Sequence, residues 1–220
     1  MLAEIAGLWA KYDYVFINGL KGTLILAFIT LLFGTLLGVI VALMRRSKNR
    51  IVQVVVNIYI EVLRGTPILL QLYFFWLVLP KVSPISLSDT ACIIIALIVN
   101  SSSYISEIIR AGIQAVDKGQ TEAAKSLGMS NYLTLRYIVM PQAIKNILPA
   151  LGNQFILTVK ETSLASVFFV GELMTSYKSV QSATFLSVSS LTIVGVIYLV
   201  VTFSLSKVVG MFEKRLAISS

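Results

Sequence analysis

Five groups of residues in this 220-residue chain have types and spacings that suit chemistry. Lys160-Glu161-Thr162-Ser163 places an acid, a base and two hydroxyls inside an otherwise oily stretch. Asn100-Ser-Ser-Ser-Tyr104 does the same with neutral hydrogen-bonding groups. Glu61 and Arg64 stand three apart, on one face of a helix, just before Gly65-Thr66-Pro67. Gln71 follows four residues after the proline, and Glu107 and Arg110 lie beyond the tyrosine. Of these, Glu161, Lys160, Ser163, Asn100, Ser103, Tyr104, Thr66 and Gln71 could hold a zwitterionic solute: a carboxylate accepts from an ammonium, while amides and hydroxyls serve either end.

They are poorly equipped to break covalent bonds. The chain has no histidine, which excludes a Ser-His triad and a His-based metal site. Cys92 stands alone, so no intrachain disulfide forms. No G-x-x-x-x-G-K-[ST] phosphate loop occurs, so no ATP hydrolysis is expected of the chain itself. No metal ligands and no cofactor of its own are expected.

The elements that carry these residues are membrane spans. Hydrophobic residues make up 57% of the chain and charged ones 13%, against about 25% charged in soluble domains. Residues 23–44 and 185–206 are uncharged and long enough to cross a bilayer, which takes about 20 apolar residues. Residues 51–80, 91–109 and 147–171 are also apolar, with charges or prolines inside them. The expectation is an all-α polytopic membrane helix bundle of five spans in one domain, residues 1–220, the middle three broken or tilted. Residues 1–22, amphipathic and aromatic, are expected to lie in the outer interface.

The formal charge of +8 is not a nucleic-acid signal, because of where it falls. Twelve of the 18 basic residues follow the first, third and fifth spans: Arg45, Arg46, Lys48, Arg50, Arg110, Lys118, Lys125, Arg136, Lys145, Lys207, Lys214 and Arg215. The positive-inside rule puts that side in the cytoplasm, with the N-terminus outside and the C-terminus inside.

Four local features have two readings each. Gly34 and Gly38 let a neighbouring helix approach closely or simply face lipid. Glu61 and Arg64 form a structural ion pair or contribute to a path. The polar groups at 100–104, with Ser103 among them, and the Lys160–Glu161 pair serve packing or a solute path. Pro67, lacking an N–H, is expected to break the second span, and backbone broken at that depth must be buried in protein or line a wet cavity.

The largest polar element is KGQTEAAKSLGMSNYLTLRYIVMP (118–141). Gly119 is expected to break the preceding helix and Thr121 to cap the next, with Glu122 near its positive end. Ala123, Ala124 and Leu127 are expected to share a small apolar face. Gly128 suits a left-handed helix end, Ser130 or Asn131 a new start, and Pro141 the return to the membrane. A short helix, a fixed elbow and a second helix can act as a lever on a partner.

Glu122-Ala123-Ala124, Gly128, Ile138 and Pro141 resemble the EAA motif of binding-protein-dependent ABC importer permeases. YIEVLRGTPILLQLYFF (59–75), SEIIRAGIQAVDKGQ (106–120) and KETSLASV (160–167) resemble blocks of the polar amino acid group of these permeases (histidine/glutamine/arginine type), in the same order. Ser106, commonly Ala there, and Glu161, often Asp or Asn, are departures. The resemblance implies a type I ABC importer permease in a bacterial cytoplasmic membrane. It implies two copies of a cytoplasmic ATP-binding cassette subunit, which hold ATP and magnesium and dock on Thr121, Glu122, Ala123, Ala124, Leu127, Gly128 and Met129. It also implies a second permease subunit, identical or paralogous, and an external solute-binding protein that delivers an amino acid. Glu161, Asn100, Ser103, Tyr104, Thr66, Gln71, Lys160 and Ser163 are the residues assigned here to the solute path. An acidic group at depth points toward a basic amino acid such as arginine. The competing class is an ion-coupled secondary carrier that works without an ATPase; a channel or a purely structural subunit fits less well.

Overall fold

The computed structural model describes residues 1–218 and is helical in every regular element among them. Helix α1 (Leu2–Arg45) is unbroken over 44 residues, about 66 Å at 1.5 Å per residue and roughly twice the hydrocarbon core. Residues 2–22 run without a break into the first span. Their apolar stripe, with Leu8 and Phe16 fully inside, packs against Leu173, Val180, Ile193 and Val194. The stripe thus finds its partners in the two C-terminal helices.

Helices α2 (Arg50–Gly65) and α3 (Ile68–Val82) meet at a 113° bend over Thr66-Pro67. The expected break is thus present. Proline supplies no N–H to the preceding turn, and Thr66 is forced to the extended region (φ −118°, ψ 147°), as the residue before proline tends to be.

Helix α4 (Asp89–Gln114) is N-capped by Ser88 and packs along α1. The close approach comes from the small residues of α1. A Cβ on Gly34 would lie 3.0 Å from Ser101 Oγ, and one on Gly38 would lie 2.9 Å from Ile105 Cγ2. Of the two readings, the glycines serve helix contact.

Helix α5 (Lys118–Ser126) and α6 (Asn131–Thr134) form the polar elbow. A π-helical turn (Leu135–Val139) leads into α7 (Met140–Glu161). The wide turn sits just ahead of Pro141, whose ring crowds the preceding turn. A 3₁₀ stretch (Thr162–Phe168) ends α7, followed by α8 (Leu173–Thr184) and α9 (Ser187–Ile218).

Helices 2–45, 89–114 and 187–216 are long and apolar enough to cross a membrane, and the bent α2–α3 pair makes a fourth span. Helix α7 has the length but carries Lys145, Lys160 and Glu161. Four spans thus qualify by length and apolarity among the described residues, and α7, packed against α4 and α9, stands where the expected fifth would be. Ile25, Phe28, Leu36, Leu199 and Phe203 point outward, as a lipid-facing surface requires.

Candidate transport site and coupling elbow

The elbow is built from two consecutive capping devices. Asp117, not Thr121, caps α5: its Oδ1 accepts from Gly119 N–H at 2.7 Å. Gly119 lies in the first turn of α5 and breaks nothing. Aspartate outcompetes the expected cap because it stands one residue ahead of the first helical position and carries the charge the positive helix end attracts. At the other end, Gly128 has φ +79°. Its N–H donates to Lys125 O at 2.9 Å and Met129 N–H donates to Ala124 O at 3.1 Å, the paired bonds of a Schellman ending. Ser130 Oγ then accepts from Leu133 N–H at 3.3 Å and starts α6.

The helix has two faces. Ala123 and Leu127, four apart, point away from the bundle, and Leu127 is 84% exposed. Ala124, 100° round the helix, is buried at 4%. The expected triplet on one face is therefore a pair, with Ala124 holding α5 to the bundle. Glu122 is exposed. Thr121, half-buried, turns with Lys118 and Lys125 toward a cleft of about 1050 Å³ under the ends of α1 and α4.

At that same end the expected Glu61–Arg64 pair is absent. Arg64 Nη1 lies 3.9 Å from Glu107 Oε2 instead, and Glu61 is exposed with no ion pair among the described residues. Glu107 also takes Arg110, Nη2 to Oε2 at 2.6 Å, and Arg45. One carboxylate from α4 thereby gathers guanidiniums from α1, α2 and α4. The Arg64 guanidinium also sits over the Tyr104 ring, 5.6 Å from its centre. Sequence spacing pointed Arg64 at its own helix; the tertiary approach of α2 to α4 supplied a more buried acid.

Midway along the spans, three of the assigned path residues form one network. Gln71 Nε2 donates to Leu63 O at 2.8 Å, Thr66 O at 3.1 Å and Thr66 Oγ1 at 2.8 Å. Its Oε1 accepts from Asn100 Nδ2 at 2.8 Å. The carbonyls that the α2–α3 break would orphan are thus satisfied by a side chain. Ser103 is fully buried and its hydroxyl donates back to Asn100 O at 2.7 Å, the packing alternative of the two readings.

Glu161, Lys160 and Ser163 lie apart from that network, at the end of α7. Ser163 Oγ donates to Lys160 O at 2.6 Å. Glu161 is half-buried and Lys160 exposed, and they form no ion pair. Adjacent residues on a helix point about 100° apart, which separates them. Glu161 has no hydrogen bond or ion pair among the described residues.

Sequence reasoning missed Glu172. It is fully buried and caps α8, accepting from Met174 N–H at 2.8 Å and Thr175 N–H at 2.6 Å, with Tyr198 OH donating at 3.1 Å. With Leu173 N–H donating to Thr23 Oγ1 at 3.1 Å, it joins α1, α8 and α9. Its signal was local: Gly171-Glu172 between an apolar run and a polar helix pattern.

Residues 34–218 match the family described as binding-protein-dependent transport system inner membrane component. The chain is 44% identical over 200 residues to the nopaline transport system permease protein NocM of Agrobacterium fabrum, covering 87% of this chain and 83% of that one. It is 34% identical over 203 residues to the glutamine transport system permease protein GlnP of Escherichia coli, covering 92% and 93%. It is 35% identical over 200 residues to the arginine transport system permease protein ArtQ of Bacillus subtilis, covering 91% of each. A crystal structure of an amino acid ABC transporter with histidines superposes with a TM-score of 0.90 at 44% identity, covering 94% of this chain and 96% of that one. An inward-facing MetNI methionine ABC transporter shares the fold, at a TM-score of 0.68 and 17% identity over 91% and 97% of the chains.

Family match and superposition identify an ABC transporter permease, a transport subunit. The chain belongs to the family of binding-protein-dependent transport system inner membrane components.

Proposed function

We propose that this chain is the permease subunit of an ATP-driven amino acid importer, with its basic end in the cytoplasm and its N-terminus outside. Two permease subunits, identical or paralogous, pair in the membrane. Two ATPase subunits, carrying ATP and magnesium, seat the exposed Ala123–Leu127 face of α5, and an external solute-binding protein delivers the amino acid. The observation that carries this reading is the Schellman-ended α5, a short rigid helix with Leu127 84% exposed beside the basic ends of the spans.

Closure of the ATPase pair on ATP pulls both α5 helices, and the spans rock between inward- and outward-facing. Driving such a two-state equilibrium from 1:99 to 99:1 takes about 5.5 kcal/mol of differential binding. The elbow suits the task because its backbone bonds fix the angle at Gly128.

Relatives named for glutamine, arginine and nopaline support an amino acid as cargo. Glu161, half-buried without a partner, supports a cationic group on that cargo, as in arginine. The test is reconstitution in proteoliposomes with the ATPase and binding protein. Labelled arginine should accumulate only with ATP present inside, at constant ion gradients. Uptake that follows an ion gradient after ATP removal would overturn the importer reading in favour of a secondary carrier.

A further inference from the structure

The cleft between α5 and the spans has a wall of five cations: Arg45 and Arg46 from the end of α1, Arg110 from α4, and Lys118 and Lys125 from α5. Arg45 and Arg110 share Glu107. Arg46, Lys118 and Lys125 have no acidic partner among the described residues. Asp117 is committed to its cap. Thr134 also lines the cleft; its hydroxyl is buried, the residue being 2% exposed, and has no hydrogen-bond partner.

The position narrows the ligand class. Arg45 ends the longest apolar helix, so the cleft sits at the level of lipid headgroups, with Ala42 and Ile109 on the side toward the spans. Basic pockets between spans at the cytoplasmic boundary attract anionic headgroups. The geometry of α5 keeps this surface free for such a ligand. Lys118, Thr121 and Lys125 fall on one face, and Ala123 and Leu127 on the opposite one, so a partner gripping the outer face leaves the inner one unfilled.

We propose that this cleft binds one phosphate-bearing anion, the headgroup of an anionic phospholipid, and that the bound anion staples α5 to α1 and α4. The phosphate oxygens accept from Lys118, Lys125 and Arg46. The anion adds to the hold that buried Ala124 already gives α5 on the bundle. This inference rests on the reading that the basic end faces the cytoplasm and that α5 is the coupling helix.

Native mass spectrometry of the assembled importer, with phosphatidylglycerol, phosphatidylcholine or inorganic phosphate added, tests it. Phosphatidylglycerol should be retained over phosphatidylcholine. Lys118→Gln with Lys125→Gln should weaken that retention about twenty-five-fold, each basic residue near an anionic surface contributing about fivefold. Lys48→Gln with Arg50→Gln removes the same charge outside the cleft and should leave retention unchanged. Displacement by inorganic phosphate would show that the site reads the phosphate group; retention against phosphate would show that the acyl chains add to it; both outcomes support a bound anion. Equal retention of the two lipids, or an unchanged Lys118→Gln/Lys125→Gln variant, overturns the proposal. A carbodiimide crosslink from Lys125 to an ATPase carboxylate also overturns it, by giving the cleft to that partner. An ATPase that fails to contact Leu127 while phosphatidylglycerol is retained would sink the docking reading and leave the anion site standing.

Discussion

Asn100 Nδ2 donates to Gln71 Oε1 across 2.8 Å, and so fastens the middle of α4 to the break between α2 and α3. Gln71 spends its own amide on the carbonyls of Leu63 and Thr66. The pair is a joint as well as part of the assigned solute path. A double-mutant cycle with Asn100→Ala and Gln71→Ala should give a coupling of about 0.6–1.7 kcal/mol, the range for hydrogen bonds between spans. Unfolding in mixed micelles by SDS titration measures it. Additive losses would mean the two amides act separately.

Gly128 adopts φ +79°, and a Cβ there would meet no atom within 4 Å. Any effect of substitution is therefore conformational. Gly128→Asn should keep coupling, because asparagine tolerates the left-handed region, whereas Gly128→Val should lose it. Membrane insertion should be intact in both. The readout is ATP hydrolysis stimulated by the loaded binding protein, and normal stimulation in the valine variant would remove the lever.

How far the sequence could be read follows from the range of each interaction. The left-handed turn at Gly128 and the break at Pro67 were legible, since each depends on one residue's own backbone limits. The partner of Arg64 was not. Glu61 is three positions away in sequence, yet the ion partner is Glu107, 43 positions on, reached only because α2 crosses α4. Which alanine of the motif faces out was equally hidden. Ala123 and Ala124 are chemically identical, and only the docking of α5 on the bundle separates them. Of the path residues, the spacing of Thr66 and Gln71 around Pro67 hinted at the network, while Asn100 joins it from another helix.

Glu107 balances Arg45, Arg64 and Arg110 with side-chain exposure of 13%. Glu107→Gln leaves three guanidiniums facing one another and should destabilise the chain by about 2 kcal/mol, within the range for hydrogen bonds to charged groups. Exposed Glu61→Gln should stay within about 0.5 kcal/mol. The same micelle titration separates them, and equal effects would return Arg64 to Glu61.

Glu161→Gln keeps the shape and removes the charge. Uptake of arginine should fall about tenfold, the loss of one charge-assisted hydrogen bond, while uptake of glutamine changes little. Competition between the two labelled amino acids in proteoliposomes checks this. An unchanged preference ratio would detach substrate choice from Glu161.

The most direct measurement is disulfide trapping between α5 and the ATPase subunit in the assembled importer. Cysteines placed at Ala123 and at Leu127, on the outer face, should each crosslink to a cysteine in the ATPase, and the yield should change when ATP is added. A cysteine at Thr121, turned to the cleft, should not. Trapping at Thr121 with none at Ala123 or Leu127, or no adduct at any of the three, would contradict the coupling role given to this helix.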